Sequence, residues 1–313
     1  MFYTFNSSEF GKKLRIIRKK QKLTQNFVCQ KLSMSIDGLG KIENGKVMPR
    51  FDTLVKMSQF YRINLIKLMS DSFKMLDLEK YYATAQECIN CENIDELDRL
   101  ILEIKNIIST GKNLDLILFD ELTQFILFCE SSLLFIKNGA INLSKAKNIA
   151  IDALKITIHN FNLFNFHEFN YSLFEIRLLH LLALIERRNE NYYTAIDILH
   201  HLQKIMPLDK DNIAFIQLMN QVLFSLAYSY SIIEDHKNCL YYANIGIDYS
   251  IANNRLNELH LFYYRKGIAE FHLNNDQYIH SLRTSIALLE AVKNPLSDTY
   301  RTVSYEKYGI QII

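Results

Sequence analysis

The sequence has little glycine and little proline. Nine Gly and three Pro among 313 residues are far below average usage, which disfavours a loop-rich all-β sandwich, a glycine-cradled nucleotide fold and a proline-rich scaffold. Because 49% of the residues are hydrophobic and only 22% are charged, the chain can bury one or two sizeable cores and is not a disordered tail. The composition therefore favours an all-α protein of two domains.

Long apolar runs are missing as well. No run approaches the ~18 residues that a membrane-spanning helix needs, and the start of the chain has neither a basic region nor an apolar segment before a cleavage site. The five cysteines are irregularly spaced and do not form a disulfide framework. We expect a cytoplasmic protein with no membrane partner.

Signals of catalysis and of bound cofactors are also absent. The sequence has no glycine-rich phosphate loop and no G-x-S-x-G motif. Cys88 and Cys91 have the C-x-x-C spacing of zinc and redox sites but lack a second pair, and His167-Glu168 lacks the second His of a zinc-protease helix. We expect no enzyme activity, no cofactor and no metal site.

Charge is distributed unevenly along the chain. The net charge is +2, but residues 1–70 carry 14 Lys and Arg against four acidic residues, whereas the rest carries 22 against 30. A small basic head followed by a mildly acidic body indicates a polyanionic partner for the head alone, and nucleic acid is the leading candidate. We expect a DNA-binding domain over residues 1–70 and a second domain over residues 71–313.

Apolar residues at helical spacing predict the first helices of this head. Residues 8–21 form the first helix, and Thr24 caps a shorter second helix. We expect the buried stripe of the second helix to contain Phe27 and Val28.

Further helices follow after a short turn. Ser35 caps a third helix, and Asn44-Gly45, a pair that tolerates positive φ, ends it. Pro49 precedes a fourth helix, whose apolar repeat begins at Phe51, and a fifth helix completes the head. Two short helices joined by a tight turn inside a five-helix basic domain are typical of a helix-turn-helix that inserts one helix into a major groove.

These segments resemble a known DNA-binding family. LRIIRKKQKLTQ followed by SMSIDGLGKIENGKVMPR is similar to the lambdoid-repressor (Xre-type) domain, and the resemblance covers about residues 8–69 in one ungapped stretch. It implies a structural ion pair between Arg18 in the first helix and Glu43 in the third.

The resemblance also implies which side chains contact DNA. Gln25, at the N-terminus of the second helix, is expected to bond a backbone phosphate. Lys41 could donate to guanine, and Ile36 could contact a thymine methyl group. The carboxylate of Asp37 is repelled by nearby phosphates unless it accepts a hydrogen bond from cytosine N4. The expected DNA-binding residues are Gln25, Ser35, Ile36, Asp37, Lys41, Asn44, Lys46 and Arg50.

The body shows a repeat. Tyr192, His236 and Tyr278 begin three copies of one pattern: an aromatic residue or His, two tolerant positions, a small residue, then Ile or Leu. The starts lie 44 and 42 residues apart. A small residue lies nine positions before each start, at Ala183, Ala227 and Ala269. Small residues at fixed points of paired helices indicate a stacked α-solenoid, and the pattern resembles degenerate tetratricopeptide repeats, which implies a right-handed superhelix.

The tetratricopeptide register places polar and aromatic side chains on the inner wall of the leading helices. Amides can bond an extended backbone, aromatic rings can receive apolar side chains, and Lys or Arg can hold a carboxylate, so the mixture suits a short peptide. The expected peptide-binding residues are Arg177, His180, Gln217, Asn220, Gln221, Phe224, Tyr228, Tyr263 and Lys266. For any one of them, a place in the core is an equally good interpretation.

The C-terminal stretch, residues 295–313, ends in an apolar segment. Such a segment rarely stays in water, so we expect it to pack on the last repeat or on a partner subunit.

The combination of the two domains resembles the RNPP family of Gram-positive peptide-pheromone receptors, the Rgg/PlcR/PrgX group. This implies a homodimeric transcription regulator whose groove binds a short signalling peptide and whose heads bind double-stranded DNA. Two alternatives stay open: a phage- or plasmid-type repressor whose solenoid serves only for dimerisation or for a protein partner, and a scaffold that sequesters a signalling enzyme.

Overall fold

The computed structural model describes residues 2–5, 7–70, 73–76, 78–110, 116–207 and 212–312. Its contacts divide the chain into two compact units, Met1–Ala83 and Thr84–Ile313. None of the described helices is long and apolar enough to cross a membrane.

The first unit contains the predicted five-helix bundle. Its helices are α1 (Ser7–Lys20), α2 (Gln25–Leu32), α3 (Ile36–Glu43), α4 (Phe51–Tyr61) and α5 (Leu65–Ser70). A short antiparallel ribbon, which the sequence did not predict, pairs β1 (Phe2–Phe5) with β2 (Phe73–Leu76). The ribbon joins the segment before α1 to the segment after α5, so its pairing depends on residues about seventy positions apart that no local periodicity connects.

The helix boundaries of the head follow from capping chemistry. The hydroxyls of Thr24 and Ser35 accept hydrogen bonds from the backbone N–H of Phe27 at 3.2 Å and of Gly38 at 3.0 Å. Gly45, just past the end of α3, has a φ of +68°, and a Cβ there would lie 2.5 Å from the backbone nitrogen of Ser8. The predicted caps and the predicted end of the third helix are therefore confirmed.

One core holds the five helices together. Its fully buried members come from every helix and include Phe10, Leu14, Val28, Leu39, Met57, Tyr61 and Leu65. Two core predictions were wrong: Phe27 is 43% exposed and Phe51 is 71% exposed. Successive helical residues point about 100° apart, so of the adjacent Phe27 and Val28 only Val28, which was also predicted, faces the core. Phe51 is the first residue of α4, and Leu54 fills the inner stripe of that helix.

The second unit is built from long helices. The helix α6 (Leu78–Asn90) crosses the boundary between the units. The helices that follow are α7 (Ile94–Thr110), α8 (Leu116–Lys137), α9 (Ala140–Thr157), α10 (Leu173–Arg188), α11 (Tyr192–Ile205), α12 (Ile213–Ile232), α13 (His236–Ala252), α14 (Leu259–His272), α15 (Tyr278–Ala291) and α16 (Leu296–Tyr308).

These helices stack as hairpins. The pairs are α8 with α9, α10 with α11, α12 with α13, and α14 with α15, and the leading helices α8, α10, α12 and α14 also pack against one another in order. Tyr192, His236 and Tyr278 are the first residues of α11, α13 and α15. The three alanines nine positions earlier are almost completely buried, so the predicted repeat of stacked helix pairs is confirmed.

The turns inside the hairpins explain how the chain manages with so few glycines. Glu190, Glu234 and Asn274 adopt φ values between 53° and 65° at the ends of α10, α12 and α14. After each of them a backbone N–H returns to a carbonyl five residues earlier, as from Asn191 to Glu186 at 2.9 Å. This helix-ending motif usually uses glycine, but Asn and other residues can adopt it at a small cost.

The C-terminal segment packs on the last repeat, one of the two predicted alternatives. Ile310 and Ile312 are 4% and 8% exposed and join a cluster with Tyr264, Ile268 and Leu282. Burial of these side chains fastens α16 to the hairpin of α14 and α15.

Candidate functional site

The first candidate site is the helix-turn-helix formed by α2 and α3. On α3, Leu39 and Ile42 point into the core, whereas Ile36 is 52% exposed. The helix therefore has one face fixed by packing and one face open to a ligand. With the exception of the half-buried Gln25, all the expected DNA-binding residues are exposed: Ser35, Ile36, Asp37, Lys41, Asn44, Lys46 and Arg50.

A buried ion pair sets the position of α3. Arg18 donates through Nε and Nη2 to the two carboxylate oxygens of Glu43, at 2.6 and 2.8 Å, and its Nη1 donates to the carbonyl of Leu23 at 2.9 Å. The hydrogen bond to Glu43 raises the pKa of Arg18. Arg18 and Glu43 are 7% and 1% exposed, so this bidentate pair fastens α1 to the open helix from inside the fold.

The same carboxylate orients Gln25. Its side-chain Nε2 donates to Glu43 Oε2 at 2.9 Å, and Gln25 is the first residue of α2. Its amide is thus held at a helix N-terminus, where backbone N–H groups favour an anion. This contact from Glu43 to Gln25 was not predicted, because the two residues lie 18 positions apart.

Asp37 and Lys41 are partners on the exposed face of α3. Lys41 Nζ lies 2.7 Å from Asp37 Oδ2, and both side chains are at least half exposed. The spacing of four residues along a helix makes them neighbours. In this arrangement Lys41 offsets the negative charge of Asp37, which would otherwise be repelled by the phosphates of bound DNA.

A group of exposed apolar residues follows α3 and was not predicted. Val47, Met48 and Phe51 are 50%, 46% and 71% exposed and alternate along the chain with the exposed cations Lys46 and Arg50. The run KVMPRF shows this mixture of apolar and basic residues in the sequence, but its apolar residues are equally compatible with a place in the core.

The second candidate site lies on the leading helices of the repeat unit. Two of the expected peptide-binding residues are buried and bonded inside the fold. His180 Nε2 lies 3.0 Å from Ser225 Oγ, and burial, with the nearby Arg187, lowers the pKa of His180 to about 3. Asn220 donates to Glu258 and accepts from the hydroxyl of Ser250 at 2.8 Å. Both side chains connect helices here.

The other expected peptide-binding residues are partly exposed: Arg177, Gln217, Gln221, Phe224, Tyr228, Tyr263 and Lys266. Phe224 and Tyr228, one turn apart on α12, stack with centroids 6.1 Å apart and planes inclined by 8°. Lys266 Nζ lies 4.0 Å from Glu270 Oε1. The structure thus places the aromatic pair together and couples Lys266 to its own helix.

Two arginines outside the predicted set complete this surface. The guanidinium carbons of Arg187 and Arg265 lie 4.6 and 4.2 Å from the ring centroid of Tyr228. The three residues belong to α10, α12 and α14, the successive leading helices. Burial lowers the pKa of Arg187 to about 10, and Arg265 acts in the same direction. The arginines occupy different repeat positions, so the register did not single them out.

A cavity of about 490 Å³ lies beside these residues, between α12, α14 and α16. Volumes of this size are typical of ligand sites. It is lined by Tyr228, Ser231, Ile232, Glu234, His236, Tyr264, Arg265, Ile268, His272, Val303, Lys307 and Tyr308. Tyr228 is the residue that it shares with the predicted set.

A second cavity, of about 650 Å³, lies between the loop before α10 and the helix α11. His167 bridges them, with Nδ1 3.2 Å from His201 Nδ1 and Nε2 3.2 Å from Asp197 Oδ2. Across the described residues, no group of three or more His, Cys, Asp or Glu is arranged to hold a metal ion.

The comparisons with known proteins agree with both units. Residues 14–68 match the family model described as "Helix-turn-helix", and no curated protein matches the chain. Bacillus thuringiensis PlcR, crystallised in complex with the peptide PapR7 and DNA, superposes with a TM-score of 0.64 at 15% identity, over 94% of this chain and 98% of PlcR.

Two streptococcal structures are similar as well. The Streptococcus dysgalactiae SHP pheromone receptor Rgg2 has a TM-score of 0.56 at 12% identity, over 95% of this chain and 99% of Rgg2. ComR from S. thermophilus, in complex with DNA and its signalling peptide ComS, has a TM-score of 0.54 at 11% identity, over 96% of this chain and 100% of ComR. The chain therefore carries a helix-turn-helix domain and shares the fold of PlcR, Rgg2 and ComR over nearly its whole length.

Proposed function

We propose that this protein is a cytoplasmic, sequence-specific DNA-binding transcription regulator, controlled by a short signalling peptide that binds the leading helices of the repeat unit. The observation that carries the proposal is the joint presence of an open helix-turn-helix and a repeat fold shared with PlcR and ComR, two proteins crystallised with both peptide and DNA. It acts as a homodimer in quorum sensing, and it is not an enzyme.

The head supplies the DNA interface. The buried pair of Arg18 and Glu43 holds α3 in place, and the exposed face of α3 enters a major groove. There Lys41 donates to guanine O6 and N7, Ile36 contacts a thymine methyl group, and Gln25, Lys46 and Arg50 bond phosphates. Phosphate contacts position the domain, and contacts to base edges select the sequence.

The repeat unit supplies the peptide site. The stacked rings of Phe224 and Tyr228 offer an apolar platform. Gln221 and Gln217, one and two turns before Phe224, present amides that can bond an extended backbone. Peptide binding changes the relative populations of quaternary states and thereby the DNA affinity of the dimer.

Selection of operators from a random duplex library, followed by gel-shift titration, tests the DNA-binding half. Lys41→Ala is expected to cost about 1–3 kcal/mol on the selected operator and much less on random duplex, because it removes a base contact. Gln25→Ala should weaken both duplexes alike. Lys237→Ala, an exposed change on α13, is the control. If Lys41→Ala and Gln25→Ala bind the operator like the wild type, the assignment of the head is wrong.

Thermal-shift and fluorescence-anisotropy measurements with synthetic short peptides, encoded as secreted products near the gene, test the peptide-binding half. A specific peptide should raise the melting temperature in proportion to the logarithm of its concentration above Kd. Phe224→Ala should lower the affinity for that peptide without changing the fold. Absence of any binding peptide would favour a repressor whose repeats serve only for dimerisation.

A further inference from the structure

The cavity between α12, α14 and α16 has more positive than negative side chains. Arg265 and Lys307 line it, whereas Glu234 is the single carboxylate among its described lining residues. His236 and His272 also line it and stack with their centroids 4.1 Å apart. Burial and the neighbouring His272 lower the pKa of His236, so this imidazole contributes hydrogen-bonding groups and not charge. A pocket of this composition favours an anionic group over a neutral one.

The two guanidiniums beside this cavity make cation–π contacts with a tyrosine ring and no ion pair with a described carboxylate. Arg187 and Arg265 both contact Tyr228, and in the described part of the chain neither takes part in an ion pair with Asp or Glu. The further contact of Arg187 is a long donation, at 3.5 Å, to the carbonyl of Ser225. Two partly buried cations without a carboxylate are costly for the fold, and a ligand anion would compensate them.

We propose that Arg265 and Lys307, which line the cavity, form a subsite that binds a carboxylate of the signalling peptide, with the peptide's neighbouring side chain against Phe224 and Tyr228. Arg187, the other guanidinium on the ring of Tyr228, adds positive charge beside the subsite. This inference rests on the proposed peptide-binding function and deepens it. The carboxylate is either the C-terminus of the peptide or an Asp or Glu side chain.

The geometry favours a carboxylate over a larger anion. A guanidinium presents parallel N–H groups that match the two oxygens of a carboxylate, and such charge-assisted pairs are among the strongest hydrogen bonds in proteins. Arg265 and Lys307 come from different helices, α14 and α16, so one carboxylate in the cavity would connect the last repeat to the C-terminal helix.

The test uses synthetic heptapeptide pools built from Leu, Ile, Val, Phe, Gly, Ser, Asp and Glu. One pool has free C-termini, a second is amidated, a third carries Asn and Gln in place of Asp and Glu, and a fourth carries both changes. Each pool is incubated with the full-length protein, and the peptides retained after gel filtration are quantified by mass spectrometry. The variants are Arg265→Gln and Lys307→Gln. Lys293→Gln, which changes an exposed cation just after α15 that does not line the cavity, is the matched control.

The wild type is expected to retain the fourth pool roughly ten- to hundredfold less than the first, the range for the loss of charge-assisted hydrogen bonds. Arg265→Gln and Lys307→Gln should remove this preference, and Lys293→Gln should keep it. Loss of retention in the second pool identifies the C-terminus as the source, and loss in the third identifies a side chain.

Two outcomes overturn the proposal and are distinguishable. Equal retention of all four pools by the wild type, or an unchanged preference in Arg265→Gln and Lys307→Gln, contradicts the carboxylate subsite but leaves peptide binding intact. Retention of no pool by the wild type contradicts the proposed function as well. Because Lys307 is exposed on the rim of the cavity, Lys307→Gln remains informative if Arg265→Gln fails to fold.

Discussion

At the scale of single residues, the buried carboxylate of Glu43 governs the geometry of the DNA-binding head. It accepts hydrogen bonds from Arg18 and Gln25, so the residue that fixes α3 also aims the expected phosphate contact. A structural and a functional role are thus connected by one side chain that is 1% exposed.

Replacement of Glu43 by Gln should destabilise the first unit by about 3–5 kcal/mol, because it leaves the guanidinium of Arg18 buried without a counter-charge. Hydrogen exchange of the α1 and α3 amides in the full-length protein measures this local stability. Glu9→Gln, which removes the exposed pair with Lys13, is the control and should cost about 0–1 kcal/mol. Equal protection in the two variants would contradict the structural role of Glu43.

Replacement of Asp37 by Asn should strengthen binding to random duplex. The change removes a negative charge near the phosphates and releases Lys41 from its partner at 2.7 Å. The affinity should then fall more steeply with salt, by about one unit of the log–log slope for one additional cation contact. Filter-binding titrations from low to moderate salt provide the slope, and an unchanged slope would show that Lys41 contacts no phosphate when it is released.

His180 should make the stability of the repeat unit dependent on pH. Its folded-state pKa of about 3 lies below the ordinary value of 6.5, so the unfolded chain binds the proton first as the pH falls. The free energy of unfolding should therefore decrease by up to about 1.4 kcal/mol per pH unit between these two values. Denaturant titrations at several pH values measure this slope. His180→Asn should flatten it, and the exposed His280→Asn is the matched control.

At the scale of secondary-structure elements, the close approach of α1 to α3 depends on a missing side chain. A Cβ on Gly11 would lie 2.5 Å from the carbonyl oxygen of Ile42, whereas a Cβ on Gly40 of α3 would meet nothing within 4 Å. The two glycines, both inside a helix, therefore differ: Gly11 is required by a close helix contact, and Gly40 is not.

Gly11→Ala should destabilise the head by about 1–3 kcal/mol, because the added methyl group forces α1 away from α3. Gly40→Ala should stabilise it by up to ~1 kcal/mol through helix propensity alone. Hydrogen exchange of the first unit compares the two changes directly. If Gly11→Ala is as stable as the wild type, the helices can separate without cost and the packing argument fails.

The hairpins of the repeat unit show that helix starts can be predicted from the spacing of a sequence repeat. The positions of Tyr192, His236 and Tyr278 predicted three helix starts, because each hairpin repeats the same close contact at its buried alanine. The same register selected His180 and Asn220 as ligand contacts, but the register reports only which way a residue points. It carries no information on the partners, Ser225, Ser250 and Glu258, that bury these two side chains.

At the scale of the whole molecule, a homodimer with two helix-turn-helix heads should recognise an operator with two half-sites. The half-sites should lie about one helical turn of DNA, or a multiple of it, apart. Insertion of half a turn between them should reduce the affinity to that of a single half-site, because the second head then faces the opposite side of the duplex. Gel-shift titration of the paired operators and sedimentation of the free protein test this expectation, and a monomer that binds both operators equally would contradict it.

Local patterns in the sequence determined the helices, their caps and the five-helix head, because each of these depends on residues within a few turns of one another. The basic charge of the head and the stacked repeat were also determined by the sequence, because a sum of charges and a regular spacing can be counted along the chain. Tertiary structure alone decided the ribbon between β1 and β2, the exposure of Phe27 and Phe51, the link from Glu43 to Gln25, and the meeting of Arg187 and Arg265 at Tyr228. These features join residues that are distant along the chain, or depend on which apolar side chains of a helix fill a limited core. Periodicity shows that a residue faces inward, and only the packed chain shows what it meets there.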